Sequence, residues 1–341
     1  MSKLSVAAAV TAAGLLCFTA AADAQDSFTI GLSNGWVGSE WRTQMIDEAT
    51  AAAEAWKARG VEVEVVVQSS DVDVQGQIAA VRNFINQSVD AIIINPNSPT
   101  AFDPIFAEAA ARDILVISTD AEVSSQDAIY VGIDQKAWAM QSAQWLADTL
   151  GGAGSIVCIN GVSGHPANQM RVEGYREVFA KYPDIEILNE ANANWDQAQG
   201  QQTMQTLLAT YPEIDGVWVQ DGMAAGAWRA IEASGRSDIA ATGEIRADFL
   251  TQWKEKGYNS GASVNPPGVM ASALNVAVLK LQGREFKDGI FRGVYGNAIY
   301  IPIPFIDNTS LDQAYEAVKD KPGYYSVTAV VTPDEAAAFF E

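Results

Sequence analysis

The chain has 341 residues, of which 48% are hydrophobic and 18% charged, and its 42 acidic and 21 basic residues give a formal net charge of -21. The composition is typical of a globular protein, and the length predicts about two domains. A surface with this much negative charge repels the phosphate backbone of a nucleic acid, which excludes nucleic acid as a partner. One histidine and two cysteines exclude a Cys/His zinc site, and no metal and no other cofactor is predicted.

The first segment has the pattern of an export signal. Lys3 precedes an uncharged run of small and apolar residues from Val6 to Ala22, and Ala22-Asp23-Ala24 fits the small-x-small cleavage rule. The run could also span a bilayer as an anchor, but its alanine-rich composition and the cleavage motif favour removal. We therefore expect residues 1–24 to be a signal peptide and the mature protein to be exported.

Apolar, β-branched runs alternate with segments of helical period along the rest of the chain. Strands are predicted at 28–32, 61–67, 91–94, 114–117, 129–131, 155–159, 185–189, 215–219, 239–242 and 261–264. Helices are predicted at 38–59, 74–88, 102–112, 135–150, 166–182, 196–211, 222–234 and 247–256. In the tail, 298–303 and 326–331 are predicted as strands, and 311–319 and 333–340 as helices. The alternation predicts an α/β protein with two parallel sheets of about five strands, covered by helices on both faces.

Polar and aromatic residues follow most of the predicted strands. In open α/β sheets, ligands bind in the crevice beyond the carboxyl ends of the strands. Helix capping explains about half of these residues, but it does not explain the excess of Asn, Arg and Trp. Planar polar groups and aromatic rings are what a sugar needs, because it presents hydroxyls and apolar C–H faces. Trp36, Trp41 and Trp195 lie in strand-end loops and are candidates for stacking on a ligand, whereas Trp56, Trp138, Trp145 and Trp228 lie on helices and are expected to pack in the core.

Two motifs suggest other chemistry. Gly31-Leu32-Ser33-Asn34-Gly35 matches the nucleophile elbow of a secreted hydrolase, with His165 as the candidate base. The elbow follows the first strand of the mature chain, where a hydrolase needs several strands before it, so a ligand contact or a turn cap is favoured for Ser33. Asp71 to Gly76 resembles the start of a calcium loop, but its twelfth position is Arg82. Asp73 is therefore expected to cap a helix.

Five segments in order resemble the periplasmic sugar-binding proteins of ABC importers, the type I fold of the ribose-, galactose- and galactofuranose-binding proteins. They are Ala91 to Pro96, Val116 to Asp120, Asn160 to Gly164 with Arg171 to Tyr175, Gln220 to Ala227, and Val264 to Pro267. The resemblance covers residues 28–290.

The resemblance implies two Rossmann-like lobes with parallel sheets flanked by helices, joined by a three-stranded hinge with crossings near Asp134, Asn265 and Phe291. It implies an N-terminal lobe of residues 25–133 plus 266–290 and a C-terminal lobe of 134–265 plus 291–341. It also implies a periplasmic, non-enzymatic receptor that captures a monosaccharide or polyol and delivers it to the permease subunits of an ABC importer, with a chemoreceptor as a further candidate partner. The tail from 291 to 341 is longer than the family norm and is expected to pack on the second lobe.

The candidate ligand-binding residues combine this resemblance with the strand-end pattern: Asn34, Trp36, Glu40, Trp41, Arg42, Asn95, Asp120, His165, Arg171, Asn194, Trp195, Asp221, Arg246 and Asn265. Arg246 stands where the family has a carboxylate, and His165 stands where small residues are usual. Three arginines could indicate an acidic or phosphorylated ligand, or another non-sugar molecule. Alternatively, Glu244, Asp248 or Glu40 neutralises Arg246, and the sequence leaves both interpretations open.

Overall fold

The computed structural model describes residues 27–341, so the predicted signal peptide lies outside the described residues. The strands are β1 Ser27–Asn34, β2 Glu62–Ser69, β3 Ala91–Asn95, β4 Leu115–Ser118, β5 Ile129–Gly132, β6 Ala153–Asn160, β7 Asp184–Asn192, β8 Gly216–Val219, β9 Ala240–Thr242, β10 Ser260–Ser263, β11 Ala298–Tyr300 and β12 Phe305–Asp307. The helices are α1 Glu40–Ala58, α2 Val74–Gln87, α3 Asp103–Ala110, α4 Gln135–Thr149, α5 Pro166–Phe179, α6 Gln197–Thr210, α7 Ala224–Ser234, α8 Ala247–Lys256, α9 Val269–Leu281, α10 Leu311–Val318 and α11 Pro333–Ala336. No helix within residues 27–341 is long and apolar enough to cross a membrane.

Two six-stranded sheets organise the chain into two lobes. The first has the strand order β11-β5-β4-β3-β1-β2, and the second has β12-β10-β9-β8-β6-β7. The ladders are parallel except for β12, which runs antiparallel to β10. All five residues of β3 are buried, as expected for a parallel strand covered on both faces. The predicted α/β fold with two helix-flanked parallel sheets is confirmed.

Helix starts follow the residues that the sequence favours as caps. The carboxylates of Asp73, Asp134 and Asp196 accept hydrogen bonds from the backbone N–H groups of Gly76, Ala137 and Gln199, at 2.8, 2.9 and 2.7 Å. Each bond satisfies a donor that the first helical turn leaves open. Asp73 is thus a cap, in agreement with the sequence. Within residues 27–341, no group of three or more His, Cys, Asp or Glu side chains is arranged to hold a metal.

Aromatic side chains fill the core beneath each sheet. Trp138 and Trp218 meet edge to face with centroids 6.3 Å apart, and Tyr175 packs on Trp218 at 4.4 Å. Trp56 and Trp228 are also buried, while Trp145 is partly buried and covers Gly261. The four helical tryptophans therefore pack as the sequence predicted.

The tail differs from the sequence-based expectation, because it divides between the lobes. β11 extends the first sheet by pairing with β5, and α11 packs on α9, which itself packs on α1 of the first lobe. Of the helices and strands in the tail, only β12 and α10 lie on the second lobe. The assignment of 291–341 to the second lobe is thus wrong for β11 and α11, because the exposed edge of β5 needs a partner strand for its open hydrogen-bonding groups.

The crossings between the lobes are also placed differently. The chain passes from β5 to α4 and from β10 to α9, near the predicted Asp134 and Asn265, but the third passage is at 301–304, between β11 and β12, and not near Phe291. Residues 326–331 form no strand beyond an isolated bridge between Ser326 and Arg246. They bond instead to side chains and to a loop of the second lobe.

Candidate functional site

A cavity of about 350 Å³ lies between the lobes at the carboxyl ends of the strands. It is lined by Trp36, Gly38, Ser39, Glu40, Trp41, Arg42, Asp120, His165, Ala167, Arg171, Trp195, Asp196, Gln197, Asp221, Gly222, Glu244, Ile245, Arg246, Asn265 and Ser326. The lining thus holds three guanidinium groups and five carboxylates. Which charge faces the ligand depends on how these groups pair.

The first pair joins α1 to the loop after β4. Asp120 has a left-handed backbone (φ 63°), and its carboxylate lies 3.8 Å from the guanidinium of Arg42. Arg42 is held from behind by Asn34, whose Oδ1 accepts from Nη1 at 2.7 Å. Burial alone would raise the pKa of Asp120, but the charges of Arg42 and then Arg171 outweigh it, so this pKa lies below its ordinary value. Asp120 is thus an ionised acceptor at neutral pH.

Amide side chains fix the orientation of the Asp120 carboxylate. Asn95 Nδ2 donates to Oδ2 at 3.1 Å, and Asn265 Nδ2 and Gln135 Nε2 both donate to Oδ1 at 3.3 Å. Gln135 also donates to the Asp120 carbonyl at 2.9 Å. Because Gln135 opens the helix after the first crossing, this network reaches from one lobe towards the other.

The second pair belongs to the second lobe. Arg171 Nη1 donates to Asp221 Oδ1 at 2.8 Å, and its Nε donates to Gln135 Oε1 at 2.8 Å. The guanidinium lies 4.0 Å from the ring centroid of Trp138, a cation–π distance. Burial raises the pKa of Asp221, although the charge of Arg171 opposes that shift. This guanidinium therefore has its carboxylate partner inside the protein.

The third pair joins Arg246 to Glu244, both in the loop after β9. Arg246 Nε donates to Glu244 Oε1 at 2.7 Å, and its Nη2 reaches the Gly222 carbonyl at 3.4 Å. Glu244 is fully buried, and burial raises its pKa against the opposing charge of Arg246. Arg246 is thus neutralised by Glu244, one of the two outcomes that the sequence left open.

Three indole rings form walls of the cavity. Trp36 lies over Gly38, and Trp195 lies so close to Gly161 that a Cβ there would stand 2.1 Å from Trp195 Cε2. The indole N–H of Trp195 donates to Gln220 Oε1 at 2.8 Å, and that of Trp41 donates to the Asn265 carbonyl at 2.8 Å. Each ring is positioned by a glycine that lacks a side chain or by a hydrogen bond from its indole N–H. The guanidinium of Arg42 lies 5.4 Å from the centroid of the Trp36 ring.

His165 caps α5 beside Trp195. Its Nδ1 accepts from the Ala167 N–H at 3.3 Å, which leaves the proton of the neutral ring on Nε2. The two rings meet edge to face with centroids 4.9 Å apart. Burial, and then the positive charge of Arg42, lower the pKa of His165 to about 4. The imidazole is therefore neutral at physiological pH.

Comparison with known proteins places the chain in a family. Residues 30–285 match the periplasmic binding protein domain. The chain belongs to the periplasmic binding protein family. It is 31% identical over 265 residues to the xylitol-binding protein of Mycolicibacterium smegmatis, covering 76% of this chain and 73% of that one. It is 26% identical over 266 residues to the ribose import binding protein of Bacillus subtilis, covering 77% of this chain and 85% of that one.

Solved structures agree with this assignment. An ABC transporter solute binding protein from Thermobispora bispora has a TM-score of 0.77 at 24% identity, covering 91% of this chain and 94% of that chain. A solute binding protein from Bacillus halodurans with bound myo-inositol has a TM-score of 0.72 at 25% identity, covering 86% and 98%. The sequence-based identification of a type I sugar-binding protein of an ABC importer is confirmed.

Most predicted site residues of this periplasmic binding protein line the cavity: Trp36, Glu40, Trp41, Arg42, Asp120, His165, Arg171, Trp195, Asp221, Arg246 and Asn265. Asn34 and Asn95 do not line it, because both are buried behind the lining residues. The Asn34 amide accepts a hydrogen bond from Arg42, and the Asn95 amide donates one to Asp120. Asn194 is exposed, and its amide donates to Gln199 Oε1 at 2.8 Å, outside the cavity. The prediction that these three contact a ligand directly does not agree with their positions.

Ser33 takes none of the three roles considered for it, which were a nucleophile, a ligand contact and a turn cap. Its side chain is fully buried within β1, its hydroxyl has no partner among the described residues, and it does not line the cavity. It can neither attack a molecule in the cleft nor cap the following helix.

The sequence analysis missed three amides that organise the site. Gln135 connects Asp120 with Arg171, while Gln220 accepts from Trp195 and donates to Asn168 at 2.8 Å. Asn168 in turn accepts from the Gly161 N–H at 2.9 Å. The position of Gln135, directly after the Asp134 cap at a lobe crossing, is the signal that could have identified it.

Proposed function

We propose that this protein captures a neutral, hydroxyl-rich molecule, a polyol or a single sugar unit, between its lobes and presents it to the membrane subunits of an ABC importer. The observation that carries the proposal is the pairing of every cavity arginine with a carboxylate: Arg42 with Asp120, Arg171 with Asp221 and Arg246 with Glu244. A guanidinium that already has its counter-ion does not require an anionic ligand.

The paired carboxylates and guanidinium groups can still form hydrogen bonds with the hydroxyl groups of a ligand. A carboxylate has about four acceptor positions and a guanidinium five donors, so each keeps free sites after pairing. A hydroxyl both donates and accepts, and it can bond to both members of one pair. The indole faces of Trp36 and Trp195 suit the C–H face of the same molecule. A volume of about 350 Å³ lies near the lower end of the usual ligand pocket range of roughly 300–1,000 Å³, which suits one small ligand.

The named relatives support the same ligand class. They include proteins named for xylitol, ribose and D-apiose, and the solute binding protein with bound myo-inositol. These are polyols and monosaccharides without a charged group. Ligand capture by hinge closure of two lobes then gives the importer, or a chemoreceptor, a surface that differs from that of the empty receptor.

The proposal places the protein in the periplasm after cleavage behind Ala24, with no chemical step assigned to it. The remaining alternative, an acidic or phosphorylated ligand, is disfavoured because cavity carboxylates outnumber arginines. Such a ligand would have to displace an internal partner from an arginine, at the cost of leaving a carboxylate unpaired.

A thermal-shift panel of neutral polyols, monosaccharides, sugar acids and sugar phosphates tests the proposal. A ligand at 100 times its dissociation constant adds about 2.7 kcal/mol, which raises the melting temperature by several degrees. We expect shifts with neutral compounds only. In Asp221→Asn, which frees Arg171, the neutral shift is expected to shrink and a shift with the corresponding acids to appear. Asp238→Asn, which breaks the exposed pair with Arg236, is the matched control and should leave the panel unchanged. Shifts with acids alone in the parent protein would overturn the proposal.

A further inference from the structure

The C-terminal segment Gly323–Val331, hereafter the strap, passes from one lobe to the other along the cleft. It follows α10 of the second lobe and leads into α11, which packs on α9 of the first. This passage is additional to the three observed crossings, from β5 to α4, from β10 to α9 and from β11 to β12. One of its residues, Ser326, also lines the ligand cavity.

The first half of the strap is bonded to the second lobe through backbone groups. Val327 N–H donates to the Ile245 carbonyl, and the Ala247 N–H donates to the Tyr325 carbonyl, both at 2.9 Å. The Asp248 N–H donates to Gly323 at 2.9 Å. These bonds surround the bridge between Ser326 and Arg246. Ser326 therefore belongs mechanically to the second lobe and lies beside a cavity arginine.

The second half of the strap is bonded to the first lobe. Thr328 Oγ1 donates to Glu48 Oε2 on α1 at 2.6 Å and accepts from the Gly268 N–H at 3.0 Å. Further along, Val331 N–H donates to Ser272 Oγ at 2.9 Å, and Val331 O accepts from Asn275 at 2.8 Å, both on α9. The lobe attachment of the chain thus changes between residues 327 and 328.

One side chain spans that boundary. Gln44 on α1 donates from Nε2 to the Ser326 carbonyl at 3.0 Å and accepts the Ser326 N–H on Oε1 at 2.9 Å. Gln44 is 7% exposed and Ser326 2% exposed, so both bonds are shielded from water. Since Gln44 moves with the first lobe and Ser326 with the second, separation of the lobes breaks both bonds.

We propose that the strap is an interlobe latch, in which Gln44 clamps the Ser326 backbone and holds the lobes closed over the cavity. Gln44 does not line the cavity, so it is a positioning residue that acts through Ser326 and its neighbour in the bridge, Arg246. The inference goes beyond the proposed function and does not depend on the identity of the ligand. It assigns a role to the tail that exceeds the family length.

Gln44→Met tests the latch, because methionine keeps the unbranched shape and the helix preference but cannot make the two bonds to Ser326. The variant also loses the 2.7 Å bond from Gln44 Nε2 to Glu48 Oε1 within α1. Asn275→Leu is the matched control. Asn275 is also a buried amide with two bonds, to Val331 and to the Trp56 indole, but both partners lie in the first lobe. Loss of these bonds should lower stability without changing the angle between the lobes.

The readout is an interlobe distance in the ligand-free protein, measured by electron–electron double resonance between spin labels. Gln75→Cys and Ala198→Cys place the labels at exposed positions near the N-termini of α2 and α6, one on each lobe, and native Cys158 is fully buried. In the parent protein we expect a short-distance population that matches the closed form. Gln44→Met should raise the open-to-closed ratio about 30-fold, equal to about 2 kcal/mol at 1.4 kcal/mol per tenfold change.

The control decides between a latch and a purely structural contact. Asn275→Leu should keep the parent distance distribution even if it melts earlier. If Gln44→Met does not fold, Gln44→Glu provides the same test, because it keeps the length and the acceptor, removes the donor and adds a negative charge beside Glu48. The proposal is overturned if the ligand-free parent has no closed population, or if the folded Gln44 variants keep the parent distribution. Because no ligand is added, these outcomes are separate from failure of the proposed sugar-binding function.

Discussion

Gly161→Ala should weaken ligand binding through Trp195 while leaving the fold intact. The new Cβ would stand 2.1 Å from Trp195 Cε2 and 2.3 Å from its Nε1, so the indole must leave its place against β6 and its loop. Displacement breaks the 2.8 Å bond to Gln220, worth about 1 kcal/mol. It also removes an aromatic contact with the ligand, worth roughly 0.5–1.5 kcal/mol. Because the bond to Gln220 is present without ligand, its loss lowers the stability of the protein, and only the lost contact with the ligand lowers the affinity. We therefore expect binding to weaken by roughly 2- to 12-fold.

Isothermal titration calorimetry with the tightest neutral compound from the panel measures this loss. Ser163→Ala, an exposed change in the same loop, is the control and should bind like the parent. The Gly161→Ala change should add almost nothing in a Trp195→Ala background, because the two changes remove one interaction. An affinity within twofold of the parent, or full additivity in the double variant, would refute the reasoning that Gly161 exists to seat this ring.

Further predictions concern buried titrating groups and an exposed amide. The folded pKa of His165 is about 4 against an ordinary 6.5, so the parent should lose up to about 3 kcal/mol of unfolding free energy as the pH falls from 6.5 to 4. Urea titrations should show a smaller loss for His165→Asn, which keeps the helix cap. Equal losses in the two proteins would contradict this prediction. Burial raises the pKa of Glu122, whose Oε1 accepts from the Tyr300 hydroxyl at 2.6 Å. The contribution of protonated Glu122 to the unfolding free energy is therefore complete below the ordinary pKa of a glutamate, and it is lost as the pH rises through the raised pKa. As the pH rises from below the ordinary pKa of a glutamate to neutral, Glu122→Gln should therefore gain stability relative to the parent, and an equal difference at both ends of that range would exclude this cause. Asn194→Gly should leave the ligand affinity within twofold, because Asn194 is exposed, bonds to Gln199 and has a left-handed backbone (φ 57°) that suits glycine; calorimetry that gives a tenfold loss would restore it as a ligand contact.

The order of strands and helices could be predicted closely from local sequence. A strand such as β3 is a short run of apolar, β-branched residues, and a helix such as α4 begins after a capping aspartate. The tail could not, because β11 is only three residues long and its place depends on the unpaired edge of β5. Residues 326–331 have the composition of a strand, yet their backbone groups bond to Gln44, to the Ile245 carbonyl and to side chains of α9, and they form no ladder. Such pairing depends on where two lobes meet, which local sequence does not contain.

The site could be predicted at the level of loops but not of side-chain direction. Asn34 and Asn95 end neighbouring strands, and strand-end position alone does not tell whether an amide faces a ligand or supports the residue that does. The structure turns both towards Arg42 and Asp120. The charge of the cavity was also undecided from sequence, because only the 2.7 Å contact between Arg246 and Glu244 shows which carboxylate takes the third arginine.

The most direct test of the central claim is a matched pair of calorimetric titrations. The first uses the tightest neutral compound from the panel, and the second uses the acid formed by oxidising its terminal hydroxymethyl group to a carboxylate. Because every cavity arginine has an internal carboxylate partner, the account predicts that the neutral compound binds at least tenfold more tightly, which is about 1.4 kcal/mol. Equal or tighter binding of the acid would show that an arginine releases its partner for the ligand, and would contradict the account.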